Sequence, residues 1–245
     1  MRILPLLLGA ASLLRADALA DFKGRLQKVP RAEGLRAAVE VETWSRQGDD
    51  KAPRITQGRA QAWVESGAQG LRVAWAPDLV QKALQEARAQ KADPEAPAPT
   101  RAGMAALTVA EIMDGLHPAE RILQDLEGAK LLEARPDTLD GRPAQLLVVK
   151  LEPAMNGRDR KYVKAFEGTA RYWLGPDGLP LAEERQFRLK GKALLVISFS
   201  VEDKRSWRFR SVNGSLVAVR HTRENTSSGG GENGQTKASI TVTPG

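Results

Sequence analysis

The sequence predicts an α+β protein: antiparallel strands interrupted once by a block of helices. Three observations carry this. Long segments alternate apolar and polar residues, the period of a half-buried strand. Between Leu79 and Leu126 the period changes to three or four residues, that of an amphipathic helix. The remainder is punctuated by the hairpin dipeptides Asp140-Gly141 and Asn213-Gly214. Strands, then helices, then strands, without βαβ alternation, place the chain in the α+β class.

The elements follow in order. Residues 1–20 read as a secretory leader: Met1-Arg2, an apolar run from Ile3 to Leu14, then Ala18-Leu19-Ala20 with cleavage before Asp21. The mature chain, 21–245, reads as a single domain. Phe22, Leu26 and Val29 form one stripe of a short helix that Pro30 ends. Leu35–Trp44, Ile55–Ser66 and Leu71–Ala76 alternate as a three-strand meander, with Leu71, Val73 and Trp75 sharing an apolar face. If Trp75 is core, its replacement by Ala costs about 3–5 kcal/mol.

Asp78 suits the N-cap of a helix carrying Leu79, Val80, Ala83 and Leu84. Residues 92–102, with Pro94, Pro97 and Pro99, read as a loop. Thr108 and Glu111 make a capping box for a helix bearing Ile112, Met113 and Leu116. Ala119, Ile122, Leu123 and Leu126 form a further stripe after Pro118. Eight strand segments follow, at 131–135, 142–152, 169–174, 181–189, 193–201, 206–212, 216–223 and 237–243, with turns at 140–141, 175–178, 190–191 and 213–214 and a Ser/Gly-rich loop at 226–235. The count is about ten strands.

Composition excludes several functions. There is no Cys, hence no disulfide, no thiolate chemistry, no Cys-ligated zinc and no lipoprotein anchor. No later segment is apolar enough to cross a bilayer. The formal net charge of +7 is scattered along the chain; in an exported protein it suits anionic lipid, lipopolysaccharide or peptidoglycan better than nucleic acid, and solvated faces explain most of it. Two histidines, His117 and His221, are too few for a metal centre without carboxylates from elsewhere, and His117 reads as a capping residue between helices. No nucleophile-elbow, zinc-protease or phosphate-loop motif occurs, and the run at 229–231 opens no helix, so no cofactor is expected. Glu183-Glu184 and Glu202-Asp203 are adjacent pairs on strands, whose side chains point to opposite faces. They read as surface solubility, and the chain reads as a non-enzyme.

Phe22–Val29, the strand Gly58-Arg59-Ala60-Gln61-Ala62-Trp63-Val64, and the strand–turn Arg171–Pro180 resemble segments of the LolA/LolB-like superfamily. That superfamily includes periplasmic lipoprotein carriers and RseB-type sensor domains. The resemblance implies a curved antiparallel half-barrel whose concave face is covered by the helix block. It implies a periplasmic binding role, with an apolar ligand, a lipid or an acylated envelope protein as partner. An RseB-type interaction module and a hydrolase with an unrecognised site are the alternatives. The residues expected to wall the ligand space are Leu71, Val73, Trp75, Leu79 and Leu84, then Ile112, Met113 and Leu116, with Tyr172 and Leu174 from the later strands.

Overall fold

The computed structural model describes residues 10–49, 51–153, 160–193, 197–230 and 232–245. Helix α1 (Ala10–Leu26) leads into β1 (Leu35–Gly48), β2 (Arg54–Gly67) and β3 (Gly70–Trp75). Four helices come next: α2 (Pro77–Ala92), α3 (Pro99–Ala106), α4 (Val109–Leu116) and α5 (Pro118–Asp125). Then follow β4 (Lys130–Leu139), β5 (Arg142–Lys150), β6 (Val163–Leu174), β7 (Pro180–Ala193), β8 (Ile197–Val212), β9 (Ser215–Gly229) and β10 (Glu232–Pro244). The ten strands form one antiparallel sheet in the order β3-β2-β1-β10-β9-β8-β7-β6-β5-β4. The first meander is thus stitched to the second by β1 against β10, and β3 and β4 are left as edges of an open curved sheet.

The hairpins behave as their dipeptides require. Asp140 and Gly141 have φ of 51° and 77°, and Asn213 and Gly214 of 51° and 82°. Two successive left-handed residues are what a two-residue turn of type I′ needs.

The helices lie on one face of the sheet. One row shows how that inner face is built: Ala60, Val41, Ile240, His221, Trp207, Glu183, Tyr172, Leu147 and Ala134 stand side by side from β2 to β4. Around the β1–β2–β10 half, Val39, Val41, Ala62 and Val64 pack under Leu107, Ile112 and Leu116. Around the β5–β8 half, Leu147, Tyr172 and Trp207 pack under Phe22 and Leu26 of α1 and Ile122 of α5, with Leu126 just beyond α5. Apolar burial on one face, with a helical layer over it, is the reason for the α+β architecture.

Several expectations change. Residues 92–102 are not a loop throughout, because Pro99 opens α3: proline at a first helical position loses no bond and presets φ. Glu86 of α2 accepts from the backbone N–H groups of Thr100 and Arg101, which satisfies that helix start. The helix lies directly on β2, since a Cβ on Gly58 would meet Gly103 N at 2.5 Å. Asp78 does not cap α2; Ala76 stands at that position without a side-chain bond, and Asp78 lies in the first turn, where the helix dipole favours it. The stripe on α2 does not cover the sheet either. Val80 and Leu84 are 36% and 48% exposed, because α2 runs past the short edge strand β3 and packs on α3.

The 226–235 segment is paired backbone, with Thr226 opposite Gln235 and Ser228 opposite Asn233, since Ser and Gly composition does not stop a hairpin arm from pairing. Lys190-Gly191 is inside β7 and not a turn: Gly191 is needed because the Phe199 ring and the Tyr162 carbonyl occupy the space of a Cβ. β7 and β8 pair as far as Ala193 opposite Ile197, and residues 194–196 lie outside the described residues. The first nine residues of the expected leader also lie outside them. The short N-terminal helix is longer than read, spanning the expected cleavage point and ending at Leu26. Among the described residues no helix is long and apolar enough to cross a membrane.

Candidate functional site

The inner face is apolar except at its centre, where α4 and α5 cross β7, β8 and β9. Alternation puts Glu183 and Arg185 of β7, Asp203 and Arg205 of β8, and His221 and Arg223 of β9 on this face. Arg185, Arg205 and Arg223 are direct cross-strand neighbours. Like charges in that relation repel, so the sheet requires anions between them.

The helices supply some of these anions. Arg121 and Asp125 are one turn apart on α5, as are Glu111 and Asp114 on α4. Arg121 Nη2 donates to Glu183 at 2.6 Å and Arg121 Nη1 to Asp125 at 2.8 Å. Asp125 also accepts from Arg185 at 2.5 Å. Glu111 Oε2 lies 3.3 Å from His221 Nδ1, an ion-pair distance without hydrogen-bond alignment, and Glu111 Oε1 lies 4.0 Å from Arg223. From the sheet itself, Asp203 accepts from Arg205 at 2.7 Å and Arg223 at 3.1 Å. Four arginines and four carboxylates therefore neutralise one another in a seam that pins both helices to the sheet.

An aromatic stack sits within it. Trp207 is 1% exposed, lies parallel to the His221 ring at 4.6 Å, and carries the Arg121 guanidinium 4.1 Å from its centroid. The Arg185 guanidinium is 5.1 Å from the same ring.

The titrations follow from these partners. His221 pulls the Glu111 carboxyl below its ordinary range, against burial, with Arg205 and Arg223 adding to it. Burial works against the Asp203 charge, but Arg205 and Arg223 outweigh it and hold its carboxyl low. Burial opposes the Arg121 charge too, and Glu183 and Asp125 more than restore it. Burial raises the Asp114 carboxyl, with Arg121 pulling the other way. Burial raises the Tyr172 phenol, reinforced by Glu183.

His117 is the other histidine at α4. It stands at the C-cap of α4 and the N-cap of α5, as expected, but caps through its backbone N–H, which donates to Met113 O, while its ring Nε2 is 3.1 Å from Ser66 Oγ of β2. Burial pushes the ring below its ordinary 6.5, with Glu120 pulling the other way. A histidine with a depressed folded value stabilises the fold fully above 6.5 and loses that contribution as pH falls. The expected result is a melting temperature that drops between pH 6.5 and about 5 more steeply in the native chain than in His117→Gln. Parallel slopes in calorimetry would remove His117 from the acid response.

The residues expected to wall a ligand space are divided by the fold. Leu71, Val73, Trp75 and Leu79 are half-buried at the β3 edge, beside buried Ile112 and Leu116. Tyr172 and Leu174 are buried in the other cluster, Met113 is half-buried, and Leu84 is exposed. The seam itself was missed. Glu183 and Asp203, 0% and 1% exposed, are not surface solubility. The available signal was parity: Arg205 shares the inward face of Trp207 and Phe209, so Asp203 does too. Among the described residues no three His, Asp or Glu side chains converge in a way that could hold a metal ion.

No family model matches the chain, and no curated protein matches it. Among solved structures, the crystal structure of MucB in complex with MucA(peri) is weakly similar: 13% identity over 91% of this chain and 93% of that one, with a TM-score of 0.24.

Proposed function

We propose that this chain is an exported, non-enzymatic binding protein of the cell envelope, and that α4 and α5 are a cover that opens to admit an apolar ligand, a lipid or an acyl chain. One observation carries the reading. Buried polar side-chain atoms without a hydrogen bond in the protein gather at the cover: Glu111 Oε2, His117 Nδ1, Arg121 Nε, Tyr172 Oη, Arg185 Nε and His221 Nε2. A permanently sealed core pairs such groups, because each one left unpaired costs about 1–3 kcal/mol. Here they lie where helix meets sheet, so the closed state is held by ion pairs and weakened by unsatisfied atoms. Beneath it the apolar wall of Leu147, Tyr172, Trp207 and Phe209 is continuous with Ile122 and Leu126.

The order of elements, which resembles that of periplasmic carriers, supports the same reading. The charged groups of the seam are paired with one another, and at the cover the hydroxyl of Ser66 meets a histidine, His117, whose Nδ1 has no carboxylate to orient it, which supports a role other than catalysis.

Native mass spectrometry of residues 21–245, gently purified from the periplasm of an expression host, tests this. The expected result is a bound mass matching a lipid or fatty acid that disappears on denaturation. An unliganded mass that also takes up no added palmitate would overturn the apolar ligand. An unliganded mass with an envelope protein co-purifying would replace it by the interaction module.

A further inference from the structure

The face of the sheet turned away from the helices carries a second binding feature. A cavity of about 400 Å³ is lined by residues of β6 to β10, among them Arg171, Glu184, Lys204, Ser206, Thr222 and Lys237, and by no helix residue. A second cavity of about 500 Å³ shares Lys237 and Ala238 and continues across β10, β1 and β2, past Trp44, Gln57 and Arg59, and at its far end, on β2, it reaches the helix layer at Pro99, the first residue of α3. The lining residues come as short runs on neighbouring strands. Cross-strand register puts Arg171, Glu184, Ser206 and Thr222 along one bank, and Gln186, Lys204, Glu224, Lys237 and Trp44 along the other. The two cavities therefore form one trough across seven strands. At about 4.8 Å between strands it is about 29 Å long.

Its chemistry narrows the occupant. From β6 to β1 the strands of its floor are each paired on both sides, and on β2, where the pairing with β3 stops at Ala62, Gly58 is covered by Ala102 and Gly103 of α3, so little backbone is open to an added peptide strand. The banks offer hydroxyls, amides and charges, with one indole, Trp44, whose ring lies 5.9 Å from Lys237 Nζ. Arg171 stands directly across from Glu184 in the register without an ion pair within 4.0 Å between them. Lys237 and Arg59 hold only exposed partners, Glu224 at 3.5 Å and Glu42 at 3.6 Å, and Lys204 shares the partly exposed Glu202 with Arg188. Such pairs are weak and exchange readily for another anion. Hydroxyl donors and acceptors suit sugar hydroxyls, an indole suits the C–H face of a pyranose, and cations spaced along the banks suit repeated carboxylates.

We infer that this trough binds an extended acidic polysaccharide, a chain of sugars bearing carboxylates. The trough lies across the sheet from the apolar space under the cover, although Arg185, Arg205 and Arg223, whose side chains belong to the seam, also line its floor.

Calorimetric titration of the full chain with a linear oligogalacturonate tests it. Saturable binding that weakens as salt rises is expected, with neutral dextran not binding. Arg171→Ala with Lys204→Ala weakens it about tenfold, as does Trp44→Ala, by the scale of one lost charge-assisted or stacking contact per site. Trp63→Ala, exposed on the same face but outside the trough, leaves it unchanged. None of these changes touches the ion-paired seam, so folding is preserved and checked by an unchanged melting temperature. Absence of saturable binding, equal binding of polyglutamate or oligothymidylate, or variants with native affinity would each overturn the assignment. Uptake of palmitate is expected to be the same in Trp44→Ala and the native chain, so a failure here is distinct from a failure of the apolar site.

Discussion

Arg121→Met is expected to destabilise the protein by about 3–5 kcal/mol. Arg121 is the only cation within hydrogen-bond reach of Glu183 among the described residues, and Glu183 is fully buried. Removing the guanidinium leaves a carboxylate in the core with its solvation gone and no partner. Asp125 is protected, since Arg185 still donates to it. For a chain of this size the loss corresponds to a fall of roughly 6–20 °C in melting temperature. The double change Arg121→Met with Glu183→Leu separates pairing from packing. A buried ion pair replaced whole by apolar side chains is close to neutral. The double variant is therefore expected within about 1 kcal/mol of the native chain. Equilibrium urea unfolding of all four proteins closes the cycle. A single variant as stable as the native chain would show that Glu183 is not dependent on Arg121.

Trp207→Ala is expected to cost about 3–5 kcal/mol, the range for a buried aromatic reduced to alanine. The indole holds the centre of the row between Glu183 and His221, and its loss also removes the surface on which Arg121 rests. The expectation from sequence put an effect of that size at Trp75. The structure moves it, because Trp75 is half-buried on an edge strand with sheet on one side only. Trp75→Ala is expected at roughly 1–2 kcal/mol, and Trp63→Ala, 59% exposed, within about 0.5 kcal/mol. The order Trp207, Trp75, Trp63 in unfolding free energy checks the assignment of faces. Any other order would mean that the inner face is not where this sheet places it.

These tryptophans show how far local pattern reaches. Alternation grouped Trp75 with Leu71 and Val73 on one face, and all three pack toward the core, because parity is a property of a single strand. How deeply each is buried depends on what lies across from it, and that is decided by strand order. The residues 92–102 show the same limit: prolines were read as breakers, yet Pro99 starts a helix once Gly58 and Gly103 let two backbones touch.

The sequence by itself determined the class, the number of strands, the hairpins at Asp140-Gly141 and Asn213-Gly214, and most of the inward stripes. Each of these rests on contacts between residues close in the chain, where φ preference and periodicity act directly. The tertiary structure alone decided that β10 returns to β1, that α2 stands off the sheet, and that Glu183 meets Arg121 while Glu111 meets His221. Those partners lie 62 and 110 positions apart. A lone carboxylate on a strand has the same local sequence signature whether it faces water or an arginine. Only the assembled sheet, by removing the water, makes the buried pairing obligatory.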